Sequence, residues 1–435
     1  MLEYFDLTQS VLQIGSNDAL ALARAHGTPL YVYDAAIFET KYKKLRQALP
    51  AQVDIFFAIK SNPSLAVTSL FRGLGAGVDL ASLGELHTAL KAGVAPHKIV
   101  FTGPSKAEAE IEAAVKSNIF AINAESEREL ERIDRIARAY GKKFPVGLRL
   151  NVGFAPKERT TVIGGTAPQK FGIDVVRALD AIKLAKGLRN LDLIGIHIFN
   201  ASQVLDAQAM LNNAENIFAT AFELSQKANL ELKYIDMGGG LGIPYTEEER
   251  ELDVVFFGKG LADILARYTA KGLPKNLRVL LEPGRYLTAE AGVYLTRVID
   301  IKESRGQHFV LVDGGVHHLL RPTWFPTGHP IRVANKLSQD TRMTYSIGGP
   351  LCTALDYLAK NIMLPHVEVG DLLAVFDVGA YGFTESMPYF LSHTTPAEVM
   401  VLAGKDYLIR PRLTPEEYLK LQSVPESLKP FKPSL

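Results

Sequence analysis

The sequence has very little cysteine, no excess of either charge and no long apolar run. One cysteine cannot form an internal disulfide or build a cysteine-based zinc site, and we expect no bound metal. Lysine and arginine total 48 against 47 aspartates and glutamates, so a net charge of +1 gives no bulk attraction to nucleic acid or an anionic membrane. No stretch reaches about 18 uninterrupted apolar residues, and residues 1–10 lack the apolar core of a signal peptide. These absences predict a cytoplasmic protein that binds neither nucleic acid nor membrane.

The composition is that of a globular protein with a large core. Of the 435 residues, 47% are hydrophobic and 22% are charged, with 35 glycines and 23 prolines, which excludes intrinsic disorder. At about 150 residues per domain the length fits three domains, or two if one is a barrel of about 250 residues.

Short apolar segments alternate with amphipathic ones through the first two thirds of the chain. Helical patterns occur at 64–74, 84–92, 107–117 and 125–140. Eight apolar segments are typical of parallel strands covered on both faces, at 54–59, 77–80, 98–101, 119–123, 146–150, 193–198, 233–238 and 278–284. A doubly wound open sheet gives the same alternation, but the count of eight favours a closed (β/α)8 TIM-like barrel.

After residue 287 the pattern changes to short strands separated by Gly, Pro and Asp turns. The strands are expected at 293–303, 308–313, 343–347, 371–376 and 399–402, in an antiparallel β domain that an early run at 28–33 could join. The predicted fold class is therefore α/β, a barrel with a C-terminal β domain. We expect the barrel at 35–288, the β domain at 1–34 with 289–421, and a loosely held tail at 422–435.

In such a barrel the active site lies at the carboxyl ends of the strands, where three features of this sequence stand. Lys60 follows an apolar run at the end of the first strand, either as a lysine snorkelling to the rim or as a Schiff-base amine. Glycines 238–240, with Gly242 close behind, end the seventh strand as a tight turn or as a phosphate cradle. Glu282 ends the eighth strand, where it pairs either with an arginine or with a protonated ring nitrogen.

Arg285 is a fourth feature at the same end of the barrel, and together with the other three it points to one cofactor. Its guanidinium follows Gly284 and is suited to a phosphate or a carboxylate, because it can bind two oxygens at once. An amine for an aldehyde, glycines for a phosphate and a carboxylate for a ring nitrogen together predict pyridoxal 5′-phosphate as the cofactor.

Six motifs occur one after another over nearly the whole chain, from about residue 28 to residue 403. They are FFAIKSN at 56–62, VDLASLGEL at 78–86, GGGLGIPY at 238–245, EPGR at 282–285, GGPLC at 348–352 and VGAYG at 378–382. In this order they resemble the fold-type III pyridoxal-phosphate decarboxylases, the group of diaminopimelate and ornithine decarboxylases. The resemblance implies an alanine-racemase-like fold.

The resemblance also implies roles for the matching residues. Lys60 would form the Schiff base with the cofactor, and Glu282 would keep the ring nitrogen protonated. The phosphate would be held by Gly238, Gly239, Gly240, Arg285, Ser202 and Tyr381, and Gly284 would be a further cofactor contact. The family implies a homodimer with shared active sites, in which Cys352 of the partner subunit protonates the substrate. Asp79 would support the cofactor or form a structural ion pair.

Two departures from diaminopimelate decarboxylases bear on the substrate. Phe199 stands where those enzymes carry a histidine that stacks on the cofactor ring, so stacking survives without imidazole chemistry. His197, two residues earlier, is either a nearby functional group or a core histidine. Those enzymes also follow the cysteine with Glu-Ser-Gly-Asp, whose Glu reads the far amino group of the substrate, whereas Cys352 precedes Thr-Ala-Leu-Asp at 353–356. The missing charge predicts weaker selectivity for diaminopimelate.

Other segments favour a different branch. Three resemble the branch of the butirosin-pathway decarboxylase of carrier-bound glutamate and of exosortase-associated decarboxylases: DGGVHH at 313–318, GPLCT at 349–353 and FLSHTTP at 390–396. Against this, Arg321-Pro322 keeps a pair that helps bind the substrate carboxylate in diaminopimelate decarboxylases, although Phe325 replaces the usual Tyr. We expect loop 152–172 and the residues around 317–325 to select the substrate side chain, and the candidate substrate contacts are Arg285, Arg321, His318 and Asp356.

The sequence therefore predicts a pyridoxal-phosphate-dependent carboxy-lyase acting on an amino acid or an aminoacyl conjugate, including one tethered to an acyl-carrier protein. Diaminopimelate decarboxylation is an alternative. A racemase of the same fold is a second, although racemases place an arginine at the ring nitrogen and this chain has Glu282. A non-catalytic regulator is a third, and it would need none of Lys60, Glu282 and Cys352.

Overall fold

The computed structural model describes residues 2–154, 169–325 and 328–428. These residues divide into two compact units. The barrel unit comprises 2–4, 34–292 and 377–381, and the sheet unit comprises 5–33, 293–376 and 382–428. No helix in the described ranges combines the length and apolarity needed to cross a membrane. The predicted tail after residue 428 and loop residues 155–168 lie outside the described residues.

The strands in chain order are β1 (Gln13–Ile14), β2 (Asn17–Asp18), β3 (Leu30–Asp34), β4 (Val53–Ala58), β5 (Gly77–Leu80), β6 (Ile99–Thr102), β7 (Ala121–Ala124), β8 (Phe144–Asn151), β9 (Ile173–Asp174), β10 (Leu191–His197), β11 (Tyr234–Asp236), β12 (Arg278–Leu281), β13 (Gly292–Ser304), β14 (Gln307–Val312), β15 (Ile331–Val333), β16 (Met343–Gly348), β17 (Tyr357–Leu364), β18 (Leu372–Val375), β19 (Ala397–Leu402) and β20 (Lys405–Arg410). The helices are α1 (Ala19–His26), α2 (Ala35–Ala48), α3 (Leu65–Gly73), α4 (Leu83–Lys91), α5 (Glu108–Ser117), α6 (Glu127–Ala139), α7 (Ala178–Gly187), α8 (Ala207–Ala228), α9 (Val254–Ala270), α10 (Arg285–Thr288), α11 (Arg321–Trp324) and α12 (Pro415–Leu419).

Eight parallel strands close into a barrel. Their order is β10-β11-β12-β4-β5-β6-β7-β8, and β8 pairs back with β10. All eight lie where the apolar segments predicted strands, and the closing pair confirms the barrel over the open sheet. The first barrel strand ends at Ala58, so Lys60 lies in the 3₁₀ turn Ile59–Ser61 rather than on the strand.

Four of the helices that follow barrel strands begin at a side-chain cap. Ser126 accepts a hydrogen bond from the Glu129 N–H, so α6 begins at residue 127 instead of the predicted 125. The helix then buries an apolar face that includes Leu130, Ile133 and Ile136. Side-chain caps also begin α4, α8 and α9, at Ser82, Asp206 and Asp253.

The barrel interior is filled at its amino end by Tyr234, the first residue of β11. Its ring packs with Phe56 and Leu280 in one buried cluster. Gly147 and Gly195 leave the space that this ring occupies, because a Cβ on either would overlap it. The packed amino end leaves the carboxyl end of the barrel for the site.

The sheet unit contains a mixed sheet in the order β17-β16-β14-β13-β3-β19-β20, with β18 pairing β13 and β15. As predicted, the early strand β3 joins it. β14 pairs parallel with β16, contrary to the all-antiparallel expectation. Parallel neighbours require a crossover of about a dozen residues or more, and the long segment between β14 and β16 supplies one. β15, β17 and β20 lie where the sequence predicted no strand.

Candidate active site

Five polar side chains from five barrel strands meet at the carboxyl rim. Lys60 follows β4, Asp79 lies on β5, His197 and Asp236 are the last residues of β10 and β11, and Glu282 follows β12. Because all five strands are parallel, their carboxyl ends lie at the same end of the barrel.

Lys60 and Asp79 form an ion pair, in which Lys60 Nζ donates to Asp79 Oδ2 at 2.8 Å. The Lys60 side chain is 40% exposed and that of Asp79 only 1%. Burial raises the pKa of Asp79 to about 7, a rise that Lys60 only partly offsets. Burial acts to lower the pKa of Lys60, but Asp79 and Glu282 raise it above its ordinary value.

Glu282 lies in a buried group with His197 and Asp236. Its Oε2 is 3.6 Å from His197 Nε2, and its buried Oε1 has no hydrogen-bond partner among the described residues. Burial opposes the ionisation of Glu282, but His197, Lys60 and a hydrogen bond with Asp236 outweigh it and lower the pKa to about 2. Glu282 is therefore a buried carboxylate with one oxygen available for a cation.

The glycine run after β11 forms a cradle. Gly238 and Gly240 have φ values of 62° and 101°, which disfavour other residues. A Cβ on Gly239 would overlap the carbonyl oxygen of Glu282, and one on Gly240 would lie 2.9 Å from that of Ala201. Asp236 accepts the Gly238 N–H, and no partner is recorded for the N–H groups of Gly239 and Gly240 among the described residues. Such bare N–H groups suit a phosphate.

The remaining predicted phosphate contacts lie in the same unit. Arg285 donates to the Tyr245 hydroxyl at 2.8 Å, and its guanidinium lies 4.9 Å from the centre of the Tyr381 ring. The Tyr381 N–H in turn donates to the carbonyl oxygen of Ser61, beside Lys60. Ser202 is half-buried, in a segment that backbone hydrogen bonds between Val204 and the glycine run fix in place.

Phe199 lies where the sequence predicted a ring-stacking residue. Its ring packs against Gly238, since a Cβ there would come within 2.6 Å of it, and Lys60 Nζ lies 5.9 Å from the ring centre. An aromatic face thus stands beside the amine and the cradle.

The other predicted site residues lie in the sheet unit. Cys352 is an exposed free thiol. Arg321 is buried, with its guanidinium 5.0 Å from the centre of the Phe325 ring. His318 uses both nitrogens internally, with the Tyr294 hydroxyl and the Thr394 carbonyl at 3.1 Å each. A substrate contact by His318 therefore stays a prediction, and it requires one of these partners to be displaced.

Asp356 also has internal partners. Its two carboxylate oxygens accept the N–H groups of Val316 at 2.8 Å and Leu351 at 2.7 Å, and the side chain is buried. These bonds tie the loop of Cys352 to the segment at 313–318. They describe a residue that positions a loop, while its predicted contact with substrate stays a prediction.

Sequence reasoning missed the role of one residue, Asp236. Asp236 joins Asp79 and Glu282 as a third carboxyl side chain at the rim. The sequence pattern that could have identified it was present, because it stands at the end of an apolar strand just as Glu282 does. His317 is fully buried, and neither ring nitrogen has a partner among the described residues. Nitrogen and oxygen atoms of His197, Asp236 and Glu282 lie within 4.8 Å of one another, a spacing that could also hold a metal ion. The expectation of no metal therefore stays a prediction.

Comparison with known proteins gives these residues a family. The family model described as "Pyridoxal-dependent decarboxylase, pyridoxal binding domain" matches residues 35–289. Diaminopimelate decarboxylase of Aquifex aeolicus is 35% identical over 94% of this chain and 95% of its own length. The L-glutamyl-[BtrI acyl-carrier protein] decarboxylase of Niallia circulans is 33% identical over 96% of this chain and 98% of its own length. The crystal structure of diaminopimelate decarboxylase from M. jannaschii with L-lysine has a TM-score of 0.91 at 31% identity, covering 98% and 99% of the two chains. This chain is therefore a member of the pyridoxal-dependent decarboxylases, carboxy-lyases whose cofactor is pyridoxal 5′-phosphate.

Proposed function

We propose that this protein removes the α-carboxylate of an amino acid or an aminoacyl conjugate, with Lys60, Glu282 and Cys352 in the central roles. The observation that carries the proposal is the meeting of a partly exposed lysine, a buried carboxylate and a glycine cradle at one end of the barrel. Each of the three matches one part of the family's cofactor.

The residues present fit pyridoxal phosphate. Lys60 offers the amine for its aldehyde, and the unpartnered buried Oε1 of Glu282 offers an anionic acceptor for its ring N–H. The Phe199 ring offers a face for stacking. The phosphate would be held by Gly238, Gly239, Gly240, Arg285, Ser202 and Tyr381, and Gly284 would be a further cofactor contact.

The chain's own groups then divide the work. Asp79 Oδ2, 2.8 Å from Lys60 Nζ, holds the proton that the amine releases when it binds the aldehyde. Pyridoxal phosphate, when bound, accepts the electron pair left behind as the carboxylate departs. Glu282 favours this because its negative charge, next to the ring nitrogen, keeps that nitrogen protonated. Cys352 of the partner subunit donates the proton to the α-carbon.

The substrate proposal rests on residues 353–355. Thr353, Ala354 and Leu355 offer no charge for a distal amino group, and Leu355 is 67% exposed. A free diaminopimelate would leave that group without a partner. The relative from Niallia circulans acts on a glutamyl group carried by a protein. We therefore favour an amino acid or a carrier-bound aminoacyl group.

The second candidate is diaminopimelate decarboxylation. Two observations favour it: the 35% identity to the enzyme of Aquifex aeolicus, and the retention of Arg321. One assay separates the candidates. Release of CO₂ is measured with diaminopimelate, ornithine, glutamate and glutamyl thioester on a carrier protein, with Lys60→Ala as the inactive control. We expect CO₂ to be released faster from the thioester or from a simple amino acid than from diaminopimelate. Diaminopimelate as the best substrate contradicts the favoured reading, and no CO₂ from the cofactor-loaded protein contradicts the function.

A homodimer with shared sites is part of the proposal. If Lys60 and Cys352 act in one site from different protomers, Lys60→Ala and Cys352→Ala proteins should each be nearly inactive. Mixing them should restore about one quarter of the wild-type rate, because half the dimers would be mixed and each would have one intact site. No recovery after verified subunit exchange contradicts the shared site.

A further inference from the structure

The barrel end contains two carboxyl groups in direct proximity, Asp236 and Glu282. With His197 their polar atoms lie within 4.8 Å of one another. Asp236 is 0% exposed and Glu282 5%. Two ionised carboxylates at this distance repel each other, and neither has water to screen it, so one of them retains a proton.

Two cations at this rim already have acidic partners. Lys60 is paired with Asp79 at 2.8 Å, and Arg149 is paired with Glu125 at 2.8 Å. His197 is the remaining base, and burial lowers its pKa below the ordinary value, although Glu282 acts to raise it. The pair therefore has one negative charge.

The surroundings decide which carboxyl retains the proton. Among the described residues, the donors to Asp236 are neutral: the Gly238 N–H at 3.0 Å and the Asn123 amide at 3.2 Å. Glu282 is the member whose ionised form His197 and Lys60 favour. Burial, with the charge of Glu282, raises the pKa of Asp236 well above its ordinary value, whereas that of Glu282 is lowered to about 2.

We propose that Asp236 is a positioning residue that holds one proton and donates it to Glu282, so that Glu282 stays ionised and fixed at the ring nitrogen of the cofactor. The proposal rests on the function proposed above for Glu282. The proton stays on Asp236 throughout turnover, so the group acts on the rate only through Glu282.

The test uses the charge of an amide. Asn at 236 has the charge of a protonated Asp, so Asp236→Asn leaves the charge of the site unchanged if the proposal is right and removes one negative charge if it is wrong. The readout is the ¹⁵N chemical shift of the ring nitrogen in holoenzyme loaded with labelled cofactor, with Glu282→Gln as the reference for a lost charge. We expect the wild-type shift in Asp236→Asn and a displaced shift in Glu282→Gln. A displacement in Asp236→Asn as large as in Glu282→Gln overturns the proposal.

A second measurement needs no folded variant. In the wild-type holoenzyme, well above the pKa of about 7 of Asp79, the infrared spectrum should show the carbonyl band of a buried carboxylic acid. This band should shift on ¹³C labelling of aspartate but not of glutamate. A band that follows the glutamate label, or no acid band, contradicts the proposal. Neither readout depends on CO₂ release, so failure here is distinct from failure of the proposed function.

Discussion

Gly239→Ala tests whether the glycine run is a cradle that only bare backbone can form. The added Cβ would sit well inside the 3.0 Å that Cβ atoms keep from other atoms, and it would meet the carbonyl oxygen of Glu282. That oxygen belongs to the backbone, so it cannot rotate away and the two strand ends must separate. Forcing a methyl into a packed site typically costs about 1–3 kcal/mol. If the strain is relieved by displacing the cradle, cofactor affinity falls by about 5- to 150-fold.

The assay is a titration of apoprotein with pyridoxal phosphate followed by absorbance, together with urea unfolding. Gly73→Ala is the matched control, because it adds the same methyl within helix α3 where nothing lies within 4 Å. We expect the control to bind the cofactor as wild type does and to gain up to about 1 kcal/mol of stability. Gly239→Ala with wild-type affinity and wild-type stability would refute the reasoning, since the strain would then have no consequence.

Three further predictions concern stability, pH and protonation. Lys106→Met leaves the buried Glu129 without its 2.7 Å partner and should lower the free energy of unfolding by about 3–5 kcal/mol. Lys116→Met, at an exposed ion pair, should lower it by less than about 1 kcal/mol. Equal losses of the two variants in urea unfolding would contradict this prediction. Asp79 binds its proton more tightly in the folded chain, so its contribution to stability is present below its ordinary pKa of 3.8 and is lost as the pH rises to about 7. The stability difference between wild type and Asp79→Asn should therefore change across that window, and a difference constant with pH would count against it. Cys352→Ala should slow substrate protonation while leaving cofactor absorbance and the unfolding midpoint unchanged; loss of the absorbance would mean that the thiol also supports the cofactor site.

The sequence predicted all eight barrel strands and placed Lys60 and Glu282 at their carboxyl ends. Lys60 and Glu282 were recognisable because a charged residue after a buried parallel strand can only emerge at the rim. Asp236 follows the same rule, yet its meeting with Glu282 depends on register. Asp236 pairs with Leu280, two residues before Glu282, and that alignment is set by packing between strands rather than by either strand alone.

The sheet unit shows where sequence reasoning ends. His318 reads as an available polar group, but its nitrogens are taken by Tyr294 and by Thr394, a residue 76 positions away. Likewise Asp356 bonds to Val316, 40 positions away. Hydrogen-bond partners at such separations are brought together by tertiary structure, and the local sequence pattern does not predict them. The parallel pairing of β14 with β16 escaped prediction for the same reason.

The Asp356 carboxylate has a consequence for how this protein can change its substrate. It clamps the Leu351 N–H immediately before Cys352, while the N–H of Gly349 bonds to the Asp356 carbonyl at 3.1 Å. Residues 353–355 therefore lie between two ends that hydrogen bonds to Asp356 hold together. Substitutions in residues 353–355, by natural variation or by grafting a loop, can therefore change the side chains offered to a substrate without moving the neighbouring thiol of Cys352.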